Sequence, residues 1–199
     1  MFSRRPADAI PTPTPALAGP GIRLRAPAAD DFQAWAALRE ASRDFLVPWE
    51  PAWTSRSLTR SNYRLRLKRH ARERRDGSAH AFFIFRENDG ALLGGVNLSA
   101  IRRGVSLSAS LGYWVGAAHA RQGYMTGALE SVAAWAFGPL GLHRLEAACL
   151  PENAASRALL ARTGFREEGV AREYLCIAGR WQDHLIHARL AGDRADRRA

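Results

Sequence analysis

Little in these 199 residues speaks for disulfide, metal or membrane chemistry. There are two cysteines, Cys149 and Cys176, and they form no metal-ligand spacing. Both lie in apolar, strand-like runs and read as reduced, small core residues. The six histidines are scattered. His184 and His187 stand three apart on an expected strand, so they point to opposite faces and cannot chelate one ion together. No metal is expected. No apolar run approaches the roughly 20 residues of a membrane span. The stretch MFSRRPADAI lacks the apolar core of a secretory signal. The expectation is a cytoplasmic protein without membrane contact.

Several catalytic signatures are missing too. There is no G-x-x-x-x-G-K-S/T, which excludes a P-loop nucleotidase. Gly123 to Gly127 reads G-x-x-x-G and not G-x-G-x-x-G, which argues against a Rossmann dinucleotide site. No G-x-S-x-G is present, so the nucleophile elbow of an α/β-hydrolase is absent. Acidic residues are the minority: 19 against 29 Lys and Arg, a net charge of +10. The imbalance concentrates in residues 56–75, which hold nine Arg or Lys and one Glu. That segment is either an electrostatic footprint for RNA, a ribosome or cofactor phosphates, or a solvated helix face. No RNP-like aromatic strand or zinc-finger spacing accompanies it.

What is present is a core. Hydrophobic residues make up 47% of the chain, enough for one folded domain. Residues 1–20 contain PTPTP and read as a disordered tail, because repeated proline removes backbone donors. Residues 21–190 form the domain, and 191–199 a charged tail. Ile22 to Arg25 alternates as a strand. Asp30 and Gln33 resemble a capping box opening a helix to about Ser42. Phe45 to Trp53 is aromatic, and Pro48 and Pro51 argue against regular structure there; the segment suits the wall of a substrate cleft. A basic helix covers about Ser57 to Arg75. Ala81–Phe85 and Ala91–Leu98 are strands about the Asn88-Asp89-Gly90 turn. Leu111 to Val115 alternates, and from Met125 the apolar positions Leu129, Val132, Ala133 and Ala136 follow helical spacing. A helix opening from the Ala120–Met125 loop points free N–H groups at an anion such as a pyrophosphate. His143–Leu150 is a strand, Asn153 an N-cap with Gly164 closing its helix, and Glu167–Ile177 with Arg180–Leu190 a hairpin. The order βαα-βββ-α-β-α-ββ is α/β of the α+β type.

Several of these stretches together carry a family resemblance. They are Ala120-Arg121-Gln122-Gly123-Tyr124-Met125; His143-Arg144; Cys149-Leu150-Pro151-Glu152-Asn153-Ala154-Ala155-Ser156; Leu160 to Phe165; Glu168-Gly169; and Gly179 to His184. The chain resembles the GCN5-related N-acetyltransferase (GNAT) superfamily over about residues 22–190. That family's pyrophosphate loop is Gln/Arg-x-x-Gly-x-Gly/Ala; Gly123 keeps the glycine, with Ala120 and Met125 at the other marked positions. Val47-Pro48-Trp49-Glu50-Pro51 and Leu111-Gly112-Tyr113 are similar to the branch that acetylates ribosomal-protein N-terminal alanine. The resemblance implies a mixed, mostly antiparallel sheet of about seven strands flanked by four helices around a central βα pyrophosphate loop.

It also implies an acyltransferase that moves acetyl from acetyl-CoA to the α-amine of a protein N-terminus, that of a ribosomal protein presenting Ala or Ser. Two other readings stay open: the same chemistry on a small-molecule amine, and a non-catalytic ribosome- or RNA-binding relative. Ribosome or RNA contact would run through Arg64–Arg75, and the state would be monomer or homodimer. By resemblance, Trp114, Val115, Gln122, Gly123, Tyr124, Met125, Thr126, Asn153 and Ser156 hold the cofactor. Ser156 takes the place of the acid that protonates the departing thiolate, because the tyrosine many relatives use is Leu160 here. Glu173 is the candidate base, with Glu50 as the other. Trp49, Glu50, Trp53 and Tyr113 contact the acceptor. Ser156 and Glu173 also read plainly as a first-turn serine and a surface carboxylate.

Overall fold

The computed structural model describes residues 14–193, and these form an eight-stranded sheet covered by helices on both faces. The strands are β1 (Leu17–Gly19), β2 (Ile22–Arg25), β3 (His80–Arg86), β4 (Leu92–Arg102), β5 (Ser108–Val115), β6 (Arg144–Cys149), β7 (Arg166–Ile177) and β8 (Arg180–Leu190). Their order across the sheet is β1-β2-β3-β4-β5-β6-β8-β7. Every adjacent pair is antiparallel except β5–β6. That parallel pair needs a crossover, which α4 (Tyr124–Phe137) supplies.

The sequence explains the layering. β3 is buried on both faces, so AFFIF reads as a continuous apolar run. Phe82 and Ile84 face the large core under α4 and α5 (Ala154–Arg162), while Phe83 and Phe85 face a smaller aromatic core. In α4, Met125, Ala128, Leu129, Val132, Ala133 and Ala136 are buried, the i, i+3, i+4 stripe of a helix laid on a sheet. Burying side chains such as Leu129 and Val132 contributes about 1.5–3 kcal/mol each. On the opposite face, α1 (Phe32–Ala41), α2 (Arg43–Leu46) and α3 (Arg60–Arg75) enclose Phe32, Trp35 and Tyr63. The Trp35 and Tyr63 rings lie 4.9 Å apart.

Four local expectations need correction. Leu17–Gly19, inside the expected disordered tail, is a strand on β2. Pro20-Gly21 makes the turn, with Gly21 at φ 66°, and Ser131 Oγ donates to Ala18 O at 2.9 Å. The remainder of that tail, residues 1–13, and residues 194–199 lie outside the described residues. The capping carboxylate is Asp31, not Asp30: it accepts from Ala28 N at 2.7 Å and takes both Arg25 guanidinium nitrogens. The proline-bearing loop is in part helical, as α2 and a 3-10 turn over Val47–Trp49, because proline is tolerated in a first helical turn. Cys149 is buried as expected, but Cys176 is exposed. β7 is an edge strand whose residues are largely solvent-facing, and only Ile177 is fully covered.

Candidate active site

The site begins where two strands part. β5 and β6 pair only at Ser108–Arg144, Ala109–Leu145 and Ser110–Glu146. Beyond that level β5 stays with β4 as far as Val115, while β6 stays with β8 as far as Cys149. Gly116 N donates to Leu93 O at 2.8 Å, across to β4. N–H groups alternate sides along a strand, so those of Val115 and Tyr113 face the opening. A carbonyl lodged there meets fixed donors, the arrangement that stabilises a developing oxyanion.

The second half of the site is the N-terminus of α4. Arg121 and Gly123 both take positive φ, 60° and 82°, which turns the chain sharply into the helix. Gln122 Nε2 donates to Ala118 O at 2.8 Å and ties the loop back on itself. No side chain caps the helix, and its first turn carries no acidic residue. The first bond back to the loop is Gly127 N to Gly123 O, so the N–H groups of Tyr124, Met125 and Thr126 precede the helical ladder. These donors and the helix dipole form a place for phosphate oxygens. Arg86 adds positive charge beside them, its guanidinium 5.9 Å from the Tyr124 ring and 3.5 Å from His119 Nδ1. Arg86 was not among the sequence candidates; its place at the end of the strand two positions from β5 was the available signal.

At the mouth of the opening stands Ser156, in the first turn of α5. Asn153 caps that turn, accepting from Ser156 N at 3.0 Å. Ser156 Oγ lies 2.5 Å from the Tyr113 hydroxyl, and either can donate. Burial raises the Tyr113 pKa above its ordinary value, with the Ser156 hydrogen bond opposing, so the phenol stays protonated through neutral pH. Cys149 borders the same hydroxyl. Burial pushes its thiol up, against a Ser156 hydrogen bond that pulls it down, and a protonated thiol is a poor nucleophile. Leu160 is fully buried in the core.

The expected acceptor residues divide between the two faces of the sheet. Tyr113 packs toward α5 and joins Ser156, whereas Trp114, one residue on, turns its ring to the α1 side. There Arg39 sits within 4.9 Å of the Trp114 ring and 4.5 Å of the Trp53 ring. Arg39 is paired with Glu50 through both guanidinium nitrogens. Trp53 Nε1 also donates to Glu50 Oε2, at 2.9 Å. The Glu50 carboxylate is thus occupied by a buried cation and an indole. Its backbone O accepts from Ala178 N at 3.0 Å, which joins the aromatic segment to the β7–β8 turn. Trp49 stays more than a third exposed. Glu173 sits on a β-bulge of β7 at φ 46°, its N–H bonded to Asp183 Oδ1 at 2.8 Å. Among the described residues its carboxylate has no hydrogen-bond or ion-pair partner. Sequence reading missed Arg39; a charge four residues after Trp35, on the apolar face of α1, was the signal.

An opening with N–H donors for a carbonyl at one end and for an anion at the other suits transfer of an acyl group from a phosphate-bearing carrier. The class this defines is the acyltransferases. The family described as the acetyltransferase (GNAT) domain matches residues 22–166, and the chain belongs to it. It is 34% identical over 160 residues to the ribosomal protein uS5-alanine N-acetyltransferase of Escherichia coli, covering 79% of this chain and 82% of the relative. It is 33% identical over 177 residues to the probable N-acetyltransferase YjcK of Bacillus subtilis, covering 89% and 98%. Among solved structures, Mycobacterium smegmatis RimJ in complex with CoA-disulfide matches with a TM-score of 0.83 and 35% identity, over 91% of this chain and 88% of that one. The chain is an N-acetyltransferase. No helix among the described residues is long and apolar enough to cross a membrane, and no group of three or more His, Cys, Asp or Glu among them is placed to hold a metal.

Proposed function

We propose that this enzyme transfers acetyl from acetyl-CoA to the α-amine of a protein N-terminus, that of a ribosomal protein presenting Ala or Ser. The observation that carries the reading is the β5–β6 opening between the uncapped start of α4 and Ser156. The thioester carbonyl takes the Val115 N–H, and the pyrophosphate takes the N–H groups of Tyr124 to Thr126. An α-amine suits such a site because its pKa, about 7.7–8.0, leaves much of it neutral near pH 7.5, whereas lysine at about 10.4 stays charged. Glu173, at the outer hairpin and without a side-chain partner among the described residues, is our candidate to take the amine proton, directly or through a water. Large exposed side chains, including Trp49, Tyr174, Leu175 and Trp181, lie on the aromatic segment and the hairpin that its Glu50–Ala178 bond joins. Such a rim favours a macromolecular acceptor over an enclosed small-molecule site. The similarity to the uS5-alanine enzyme supports the choice of acceptor.

The basic helix supports a ribosomal setting. Several α3 cations are engaged: Arg60 stacks on Phe32, Arg66 on Trp35, and Arg69 pairs with Glu73. Arg64, Lys68, Arg72 and Arg75 are exposed, with no acidic partner among the described residues, and their spacing puts them along one helix face. Such a stripe suits RNA phosphates.

Mass spectrometry of short peptides with acetyl-CoA tests the reading. Acetylation is expected at N-terminal Ala and Ser, and not at a lysine side chain. Acetylated lysine with untouched α-amines would reject the proposed acceptor.

A further inference from the structure

The acid assigned to Ser156 has a chemical difficulty. A thiolate leaving from CoA resembles a cysteine thiolate, with a pKa of about 8.5. A serine hydroxyl that gave up its proton alone would be left as an alkoxide, far more basic than the group it protonated. It needs a proton behind it. Leu160 offers none, and the hydroxyl of Thr163, the C-cap residue of α5, is committed to Leu159 O at 2.9 Å and Leu160 O at 3.2 Å. Tyr113 reaches Ser156 from β5 with its phenol at 2.5 Å, a short O–H to O contact. Burial raises the phenol above its ordinary value of about 10, yet it stays a far stronger acid than a serine hydroxyl, so a phenolate is the less costly base to leave behind. β5 also carries the Val115 N–H that faces the opening, so one strand holds both the oxyanion donor and the phenol.

We propose that Tyr113 is the source of the proton that reaches the departing thiolate, relayed through the Ser156 hydroxyl. The inference rests on the acetyl-transfer reading above and supplies its missing acid. As the carbon–sulfur bond breaks, its electron pair goes to sulfur. Sulfur takes the proton of Ser156 Oγ, and Ser156 takes that of Tyr113. The phenolate left behind recovers a proton from solvent, which has received the one lost by the amine. The chain ends with a new amide, a CoA thiol, and Tyr113 and Ser156 restored. Tyr113 acts through Ser156 and is a positioning and relay residue.

The test compares wild type, Tyr113→Phe, Ser156→Ala and the double variant in steady-state acetylation of an Ala-terminal peptide, with acetyl-CoA affinity measured separately. Tyr113→Phe keeps the ring, and its thermal midpoint checks that it folds. Each single variant is expected to lower kcat by about 100-fold or more, with acetyl-CoA affinity changed far less. The double variant is expected to be no worse than the worse single, since the two act as a unit. A relay makes one further demand that a structural hydrogen bond does not. Replacing Tyr113 by fluorinated tyrosines of increasing acidity is expected to move the alkaline limb of kcat to lower pH in step with the phenol. Unchanged kcat in Tyr113→Phe, or an alkaline limb indifferent to fluorination, overturns the relay while wild-type turnover keeps the acetyl-transfer reading. A wild type that acetylates no amine overturns both.

Discussion

Removing the Glu50 side chain separates two roles that the sequence leaves joined. As a base, Glu50 would be needed for chemistry and dispensable for folding. The structure instead makes it the counter-ion of Arg39, whose side chain is 9% exposed, with Glu50 at 21%. Glu50→Ala leaves a guanidinium buried among Trp35, Trp53 and Trp114 without its carboxylate. Breaking a buried pair from one side typically costs about 3–5 kcal/mol. Here the three indole faces keep part of the cation's compensation, and Glu50 is partly solvated, so about 2–3 kcal/mol is expected. For a domain of this size that lowers the thermal midpoint by about 4–12 °C. Replacing both partners, Arg39→Met with Glu50→Leu, should recover much of the loss, because no charge is then stranded. Urea unfolding of wild type, Arg39→Met, Glu50→Leu and the double variant measures the coupling, and peptide kinetics of Glu50→Ala accompany it. KM for the peptide should rise more than kcat falls, since the aromatic segment is loosened while the β5–β6 opening is untouched. Glu50→Ala within about 0.5 kcal/mol of wild type, with kcat collapsed and its acidic limb gone, would return Glu50 to the role of base.

Two further outcomes follow from charge and burial. His80 is buried edge-on to Trp135 at 4.8 Å, and burial, aided by Arg74 and Arg103, lowers its pKa from 6.5 to about 4. The native state keeps it neutral where the unfolded chain protonates, so its contribution is complete above about pH 6.5 and is lost as pH falls toward 4. Relative to His80→Phe, wild type should lose on the order of 3 kcal/mol across that window; a constant difference would contradict this. Reversing Arg64, Lys68, Arg72 and Arg75 to Glu should weaken ribosome association and lower its log–log salt slope by about 3–4 units, with short-peptide turnover unchanged. Equal loss of both would reject a docking role for the stripe.

How much of this was legible beforehand depends on the range of the interaction. Elements set by local pattern were readable: the β7–β8 hairpin, the Asn153 cap and the α4 stripe differ from expectation by a residue or two at most. Leu17–Gly19 was missed because a proline-rich composition outweighed Pro20-Gly21, a turn signal in its own right. The site was harder. Alternation along β5 already says that Tyr113 and Trp114 point to opposite faces. It does not say which face meets α5 and which meets α1, since that follows from where β5 lies in the sheet. The Arg39–Glu50 pair joins residues eleven apart across a helix and a turn, and no spacing rule connects them.

The opening itself is the least local feature, and it coincides with close packing on the far side of β5. At Gly94 of β4 a Cβ atom would stand 2.3 Å from Trp114 O and 2.9 Å from Val115 Cα. At Gly95 it would stand 2.8 Å from Trp114 Nε1. Both neighbours at Gly94 are backbone atoms, which have no rotamer by which to yield. Two glycines therefore let β5 close onto β4 along Trp114–Val115, the level at which its pairing with β6 has already ended. A side chain at 94 would drive β5 back toward β6 and narrow the gap into which the Val115 N–H faces. The proposed carbonyl site thus depends on how closely β5 packs against β4 as well as on β5 itself.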